Sequence, residues 1–104
     1  MKKLTLTSDE ENIFFLDSKR IVDTELTLVV SNPDDDADIE IGYSRNLIIE
    51  SSVIRIVTED GSTHDYPIYF NGGALVTNSE IEGAIQFETG YVANSKIEGT
   101  IKFE

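Results

Sequence analysis

The densest group of side chains that could do chemistry is the acidic run NPDDDADIE. Asp34, Asp36 and Asp38 alternate along it, and carboxylate oxygens at that spacing in a loop can wrap Ca²⁺. The run departs from the EF-hand pattern, because Ile39 stands where that loop needs glycine and Arg45 where it needs its closing glutamate. We therefore favour a solvated turn between two strands, and keep a Ca²⁺ site at the three aspartates as the alternative.

His64 is the only histidine in the chain, and it follows an Asp60-Gly61 turn. A Ser–His–Asp triad needs three groups held together by a rigid scaffold, which the tip of a hairpin rarely supplies. We predict that His64 is an exposed strand residue and that the protein is not an enzyme. The absence of cysteine excludes disulfides, thiolate metal sites and a cysteine nucleophile.

The charge of the chain is strongly acidic, with 20 Asp and Glu against 8 Lys and Arg, a formal net charge of −12. Such a surface repels nucleic acid and anionic membranes, and favours basic partners or cations. The N-terminus MKKLTLTSDEE begins like a signal peptide but alternates instead of building an apolar core. No segment approaches the roughly 20 apolar residues that cross a bilayer. We expect a cytoplasmic or virion protein without membrane insertion.

The elements that position these residues are predicted to be strands. Apolar and polar residues alternate along ELTLVV and DIEIGY, the pattern of half-buried strands. Asp60-Gly61 supplies the residues of a tight hairpin turn. The stretch from Asp9 to Leu16 is compatible with either a short helix or a strand. The length of 104 residues indicates a single β domain spanning 1–104.

A repeat fills the last third of the chain. VTNSEIEGAIQFE, which starts at Val76, recurs sixteen residues later as VANSKIEGTIKFE, with nine identities in thirteen positions. Ile, Gly, Ile and Phe occupy alternate positions, so each copy is an amphipathic strand with a glycine on its apolar face. That glycine leaves room for a bulky neighbouring side chain. Asn-Ser before each strand indicates a turn, and the repeat units are 75–90 and 91–104.

Two all-β architectures fit the repeat. In an antiparallel β-sandwich or meander, the short segments 75–77 and 91–93 pair with the longer strands. In a short β-solenoid, each copy is one coil and equivalent residues stack, which places Glu82 on Glu98, an unfavourable pair. Arrays of this kind usually need at least three repeats, and only two are clear. We predict the antiparallel sandwich or meander, with the β-solenoid as the alternative.

The final strand is the predicted partner-binding element. It ends the sequence with an apolar face and no following segment to cover its edge, and free strand edges pair readily with other chains. We expect the partner, a second copy or another protein's strand, to contact Ile97, Ile101, Phe103 and Tyr91. The alternative is an interior strand of a sandwich.

The repeated pattern V-x-N-S-x-I-x-G-x-I-x-F-E resembles small β-rich structural proteins of phage virions, such as tail, fibre or baseplate adhesion parts. This resemblance implies a homo-oligomer, often a trimer, without a cofactor. Our functional prediction is therefore a non-catalytic structural module that assembles through β-strands. The alternative is a small acidic inhibitor that presents carboxylates to a basic groove, as nucleic-acid mimics do.

Overall fold

The computed structural model describes residues 1–33, 36–41, 46–64 and 66–103. Within these ranges it contains strands, turns and bends, and no helix that is long and apolar enough to cross a membrane. The strands are β1 (Lys2–Thr7), β2 (Ile13–Leu16), β3 (Arg20–Val22), β4 (Thr24–Val30), β5 (Ala37–Ile41), β6 (Asn46–Glu50), β7 (Val53–Thr58), β8 (Ile68–Thr77), β9 (Glu80–Ala93) and β10 (Lys96–Phe103).

The strands form a single sheet that winds around a common interior. The chain returns to the same side of the molecule five times, and we call each turn a coil: residues 1–23, 24–52, 53–79, 80–95 and 96–103. Each strand pairs in parallel with the strand one coil earlier. Along the stack of strands that begins with β1, the step between coils is 22 residues from Lys2 to Thr24, then 28 and 27, and 16 from Glu80 to Lys96.

Each complete coil contributes to three walls. The strand register defines the three stacks. The first wall stacks β1, β4, β7, Glu80–Glu82 of β9 and Lys96–Glu98 of β10. The second wall stacks β2, β5, Ile68–Phe70 of β8, Ile85–Phe87 of β9 and Ile101–Phe103 of β10. The third wall stacks β3, β6, Gly73–Thr77 of β8 and Thr89–Ala93 of β9.

The predicted antiparallel sandwich or meander is wrong, because the ladders between these strands are parallel. The two copies of the repeat stack directly on each other, with Ile97 beside Ile81 and Phe103 beside Phe87. Among the described residues the antiparallel contact is one isolated bridge, Val57 to Thr63. Alternation fixes which side chains face the core, but it is the same for parallel and antiparallel neighbours, so it left the pairing direction open.

Equivalent inward side chains of successive coils stack on one another, and we call each such stack a column. The interior is built from these columns of apolar side chains. Ile81, Ile85 and Phe87 face inward and are at most 1% exposed, as the period-two pattern of the repeat predicts. Gly83 also faces inward, and a Cβ there would lie 2.9 Å from Cβ of Ile56. The glycine therefore makes room for a neighbouring isoleucine, which confirms that expectation from the sequence.

The corner between the third and first walls carries a ladder of hydroxyl groups. The backbone N–H of Thr24 donates to Oγ of Ser52, that of Ser52 to Oγ of Ser79, and that of Ser79 to Oγ of Ser95, each at 3.1 Å. Each hydroxyl donates in turn to the carbonyl oxygen two residues before it. The preceding residue is in the left-handed region at every rung: Asp23, Ser51, Asn78 and Asn94.

Ser79→Ala removes one rung of this ladder. It leaves the buried N–H of Ser52 without its acceptor, so we expect unfolding to become easier by about 1–3 kcal/mol. Ser95→Ala, at the half-buried last rung, is the matched control and should cost less. Urea denaturation measures both, and equal values would contradict a ladder whose contribution depends on burial.

Two local expectations around the loops have different outcomes. Of the two structures considered for the stretch from Asp9 to Leu16, the strand is correct, because it contains β2 with Phe14 and Leu16 buried. The exposed position predicted for His64 is wrong. His64 is buried rather than exposed, because the chain after the Asp60-Gly61 turn folds back on β7 and the His64 N–H donates to the carbonyl of Ile56. The turn itself is present, with Gly61 at φ +87°.

Candidate functional site

Three of the four predicted partner-binding residues meet at the C-terminal end of the coil. The inward columns continue into β10 with Ile97, Ile101 and Phe103. The two isoleucines pack against the buried core, and the ring of Phe103 stacks on that of Phe87. Tyr91 lies on the adjacent third wall, where it pairs with Leu75 on the outer side and is 64% exposed. The structure therefore places three of these residues on the open end and the fourth at its rim.

Burial falls sharply between the fourth and fifth coils. Phe87 is 1% exposed, whereas Phe103, its equivalent one coil later, is 39% exposed. Ile97 and Ile101 are half-buried, although Ile81 and Ile85 directly beneath them are sealed. The same kind of side chain thus passes from a dry interior to a surface in contact with water within one strand spacing.

The aromatic column of the second wall reaches this end. The ring centres of Phe70 and Phe87 lie 4.8 Å apart, and those of Phe87 and Phe103 lie 5.7 Å apart with the planes tilted by 21°. The Phe103 ring also bends over Gly90, where an added Cβ would approach it to 2.5 Å. Phe103 is therefore held in place by stacking below and by a glycine at its side, with its remaining face exposed.

The backbone at this end has two open strand edges. In the described part of the chain, β10 pairs with β9 alone, so its outer edge has no strand beside it. The fifth coil covers the first and second walls, and Thr89–Ala93 of β9 on the third wall pairs with β8 on one side. Edges of this kind present rows of N–H and C=O groups to any strand that approaches.

The N-terminal end of the coil is covered on two of its three walls. Phe14 and Leu16 on the second wall and Ile21 on the third are buried, whereas Leu4 on the first wall is 36% exposed. Lys2 and Lys3 lie on the edge strand β1, where two like charges discourage pairing, whereas β10 carries charges of both signs. The two ends therefore differ on the second wall, where Phe14 is buried at the N-terminal end and Phe103 is exposed at the C-terminal end.

Two groups of ion pairs lie on the outer side of the first wall. Arg55 donates to Glu25 and, at 2.9 Å, to Glu82, and these hydrogen bonds raise the pKa of its guanidinium. Lys96 lies 2.8 Å from Glu98 and 3.9 Å from Glu80, and hydrogen bonding to Glu98 raises the pKa of its ammonium group. The first group joins the second to fourth coils, and the second group joins the fourth and fifth.

Of the predicted Ca²⁺ ligands, the described part of the chain contains Asp36 and Asp38. Asp36 and Asp38 are exposed on either side of buried Ala37, and Asp34 lies outside the described residues. A different group of carboxylates, Glu80, Glu82 and Glu98, has one oxygen each within 4.8 Å of the others. Those three could hold a cation, but Arg55 and Lys96 already pair with them. The Ca²⁺ site stays a prediction.

Comparisons with protein-family models, curated proteins and solved structures give no match. Sequence reasoning identified β10 but missed the edge formed by Gly90 and Val92, because the meander assigned that segment to a pairing strand. The residue pair at each boundary between coils, Asp-Thr, Ser-Ser, Asn-Ser and Asn-Ser, is the feature of the sequence that marks the coils.

Proposed function

We propose that this chain is a non-catalytic interaction module that assembles with another protein chain through β-strands at the C-terminal end of the coil. The observation that carries the proposal is the rise in exposure along one column, from 1% at Phe87 to 39% at Phe103. Covering apolar surface of this kind stabilises a complex by about 25 cal/mol per Å².

Strand addition is the binding mode that this end supports. The open edges of β10 and of Thr89–Ala93 supply main-chain hydrogen bonds, and the half-exposed inward side chains give apolar contact beside them. Tyr91 at the rim offers a large apolar ring with a polar tip, which suits the border between a buried contact and water.

The resemblance of the repeat to phage structural proteins extends this proposal to a virion component. Such a role asks for a subunit that joins others by shape and strand pairing, with no cofactor. The trimer that the resemblance implies is one form this assembly could take.

A second candidate is a small acidic binder of a basic partner. It rests on the charge of residues 24–95, which hold thirteen acidic and two basic side chains. The acidic groups are spread over the first wall, the second wall and the corners, for example at Glu82, Asp38 and Asp60, whereas a mimic of nucleic acid concentrates them on one face. Assembly through the C-terminal end is therefore the better supported function.

Light scattering coupled to size exclusion tests the assembly. We expect the wild-type chain to show masses above that of the monomer as its concentration rises through the micromolar range. Phe103→Asp should abolish this association, because it places a charge in the contact.

Phe15→Asp is the matched control for this experiment. Phe15 is 60% exposed on the outer side of β2, at the opposite end of the coil, so its replacement should leave association unchanged. A wild-type chain that stays monomeric throughout, or two variants that behave alike, would contradict the proposed function.

A further inference from the structure

We propose that the partner at the C-terminal end is a second copy of this chain, bound end to end about a two-fold axis. This inference rests on the proposed function and adds to it the identity of the partner and the symmetry of the contact. Three features carry it: the distribution of charge along the coil, the self-complementary sequence of β10, and the shape of the coil's end.

The distribution of charge along the coil makes its two ends the surfaces on which two copies repel each other least. Residues 1–23 carry four basic and five acidic side chains, a net charge of −1, and residues 96–104 carry two of each, a net charge of 0. The net charge of −11 on residues 24–95 accounts for the rest. Two copies that approach side by side therefore repel each other, whereas contact between C-terminal ends brings neutral segments together.

The first-wall part of β10 is complementary to itself when it pairs antiparallel. Its sequence is Lys96-Ile97-Glu98, with Ile97 inward and the two charged residues outward. A two-fold axis at Ile97 sets Lys96 of each copy directly opposite Glu98 of the other, at the roughly 5 Å separation of cross-strand pairs. The contact thus contains two such pairs, on the side where Lys96 and Glu98 already lie 2.8 Å apart within one chain.

The end of the coil has a shape that the same axis completes. Among the described residues, the fifth coil occupies the first and second walls and leaves Thr89–Ala93 on the third wall uncovered. A two-fold axis through the first wall exchanges the second and third walls, so Ile101–Phe103 of each copy lies over Thr89–Ala93 of the other. The chain rises by the same amount from each wall to the next. The strands of the two copies are therefore one strand spacing apart on all three walls, and the interior of one copy continues into that of the other.

A head-to-tail contact has less to offer. At the N-terminal end Phe14, Leu16 and Ile21 are already covered within the chain, and the exposed inward side chain of the first wall, Leu4, lies beside the like charges of Lys2 and Lys3. Such a contact would also repeat without closing, whereas a two-fold contact closes as a dimer, the commonest symmetry of soluble oligomers.

Two opposite charge reversals test this arrangement. Lys96→Glu and Glu98→Lys each place like charges across the two-fold axis, so each variant alone should dimerise about tenfold more weakly than wild type. An equimolar mixture restores both opposite-charge pairs and should dimerise as tightly as wild type. Native mass spectrometry separates the species by mass, and circular dichroism confirms that both variants are folded.

The outcomes separate this inference from the proposed function. A mixed dimer that forms in preference to either homodimer supports the two-fold contact. A mixture no tighter than its components, or species larger than a dimer, overturns the two-fold contact, while association that Phe103→Asp abolishes would still uphold assembly through this end. A wild-type chain that never exceeds the monomer mass overturns both.

Discussion

Phe87→Ala is expected to lower the free energy of unfolding by about 3–5 kcal/mol. The ring is 1% exposed and lies between Phe70 and Phe103 in the aromatic column of the second wall. Its strand is paired on both sides, by β8 and by β10, so the backbone has little freedom to close the cavity that the truncation leaves. Urea denaturation followed by circular dichroism gives the value.

Phe15→Ala provides the control for this truncation. It removes the same ring from an outward position of β2 that is 60% exposed, so the change in stability should be well below that of Phe87→Ala. Equal losses for the two variants would contradict an interior built from stacked inward columns.

Gly99→Ala is expected to release the fifth coil from the fourth. A methyl group at this position would lie 2.2 Å from the carbonyl oxygen of Gly83, and the backbone φ of +137° is one that L-residues rarely adopt. Backbone strain alone costs about 1–3 kcal/mol, and the overlap with the neighbouring backbone adds to it. Hydrogen exchange should show β10 losing protection, and the association at this end should be lost with it.

Gly61→Ala separates strain from overlap. Gly61 also has a positive φ, +87°, but no atom lies within 4 Å of where its Cβ would be. Its replacement should cost only the strain and should leave β10 protected. Loss of protection in β10 from this variant as well would show that the effect of Gly99→Ala does not come from contact with Gly83.

The sequence alone predicts which side chains of a strand are buried, but not the direction in which neighbouring strands pair. The alternation of Ile81, Ile85 and Phe87 correctly predicted which side chains are buried, and the glycine between them correctly predicted a close neighbour. The pairing direction was predicted wrongly, because a strand with one apolar face satisfies a parallel and an antiparallel sheet equally well.

The coils differ in length, so the winding of the chain does not show as a regular repeat in the sequence. The exact repeat of sixteen residues covers the last two coils, whereas the earlier steps on the first wall are 22 to 28 residues, because loops are inserted at the corners. The corner before each later first-wall strand stays short. It contains one residue with positive φ in the structure, and Ser or Thr follows that residue in the sequence. Two-residue signals of that kind are common in unrelated turns.

The misplacement of His64 has a similar cause. Its neighbours in sequence, Asp60 and Gly61, correctly indicated a turn, and residues at a hairpin tip are usually exposed. The chain beyond the turn bridges to β7 between Thr63 and Val57, and the N–H of His64 donates to the carbonyl of Ile56, which brings His64 inward. Local pattern therefore predicted the turn, and only the tertiary fold determines what the residue after it contacts.

The candidate site was anticipated in part for a physical reason. β10 repeats the apolar face of β9 through Ile97, Ile101 and Phe103, so it has the same kind of apolar surface to shield from water. The sequence could not show that the third wall stops one coil earlier than the other two, since that depends on where the corners fall. The edge at Thr89–Ala93, which completes the proposed contact, became visible only in the fold.

Amide hydrogen exchange at increasing protein concentration tests most directly whether another chain covers the C-terminal end of the coil. We expect the protection of residues 89–93 and 96–103 to rise with concentration, while that of β1 at the opposite end stays constant. Exchange at the C-terminal edges that is fast and independent of concentration, with the remaining coils protected, would contradict this expectation.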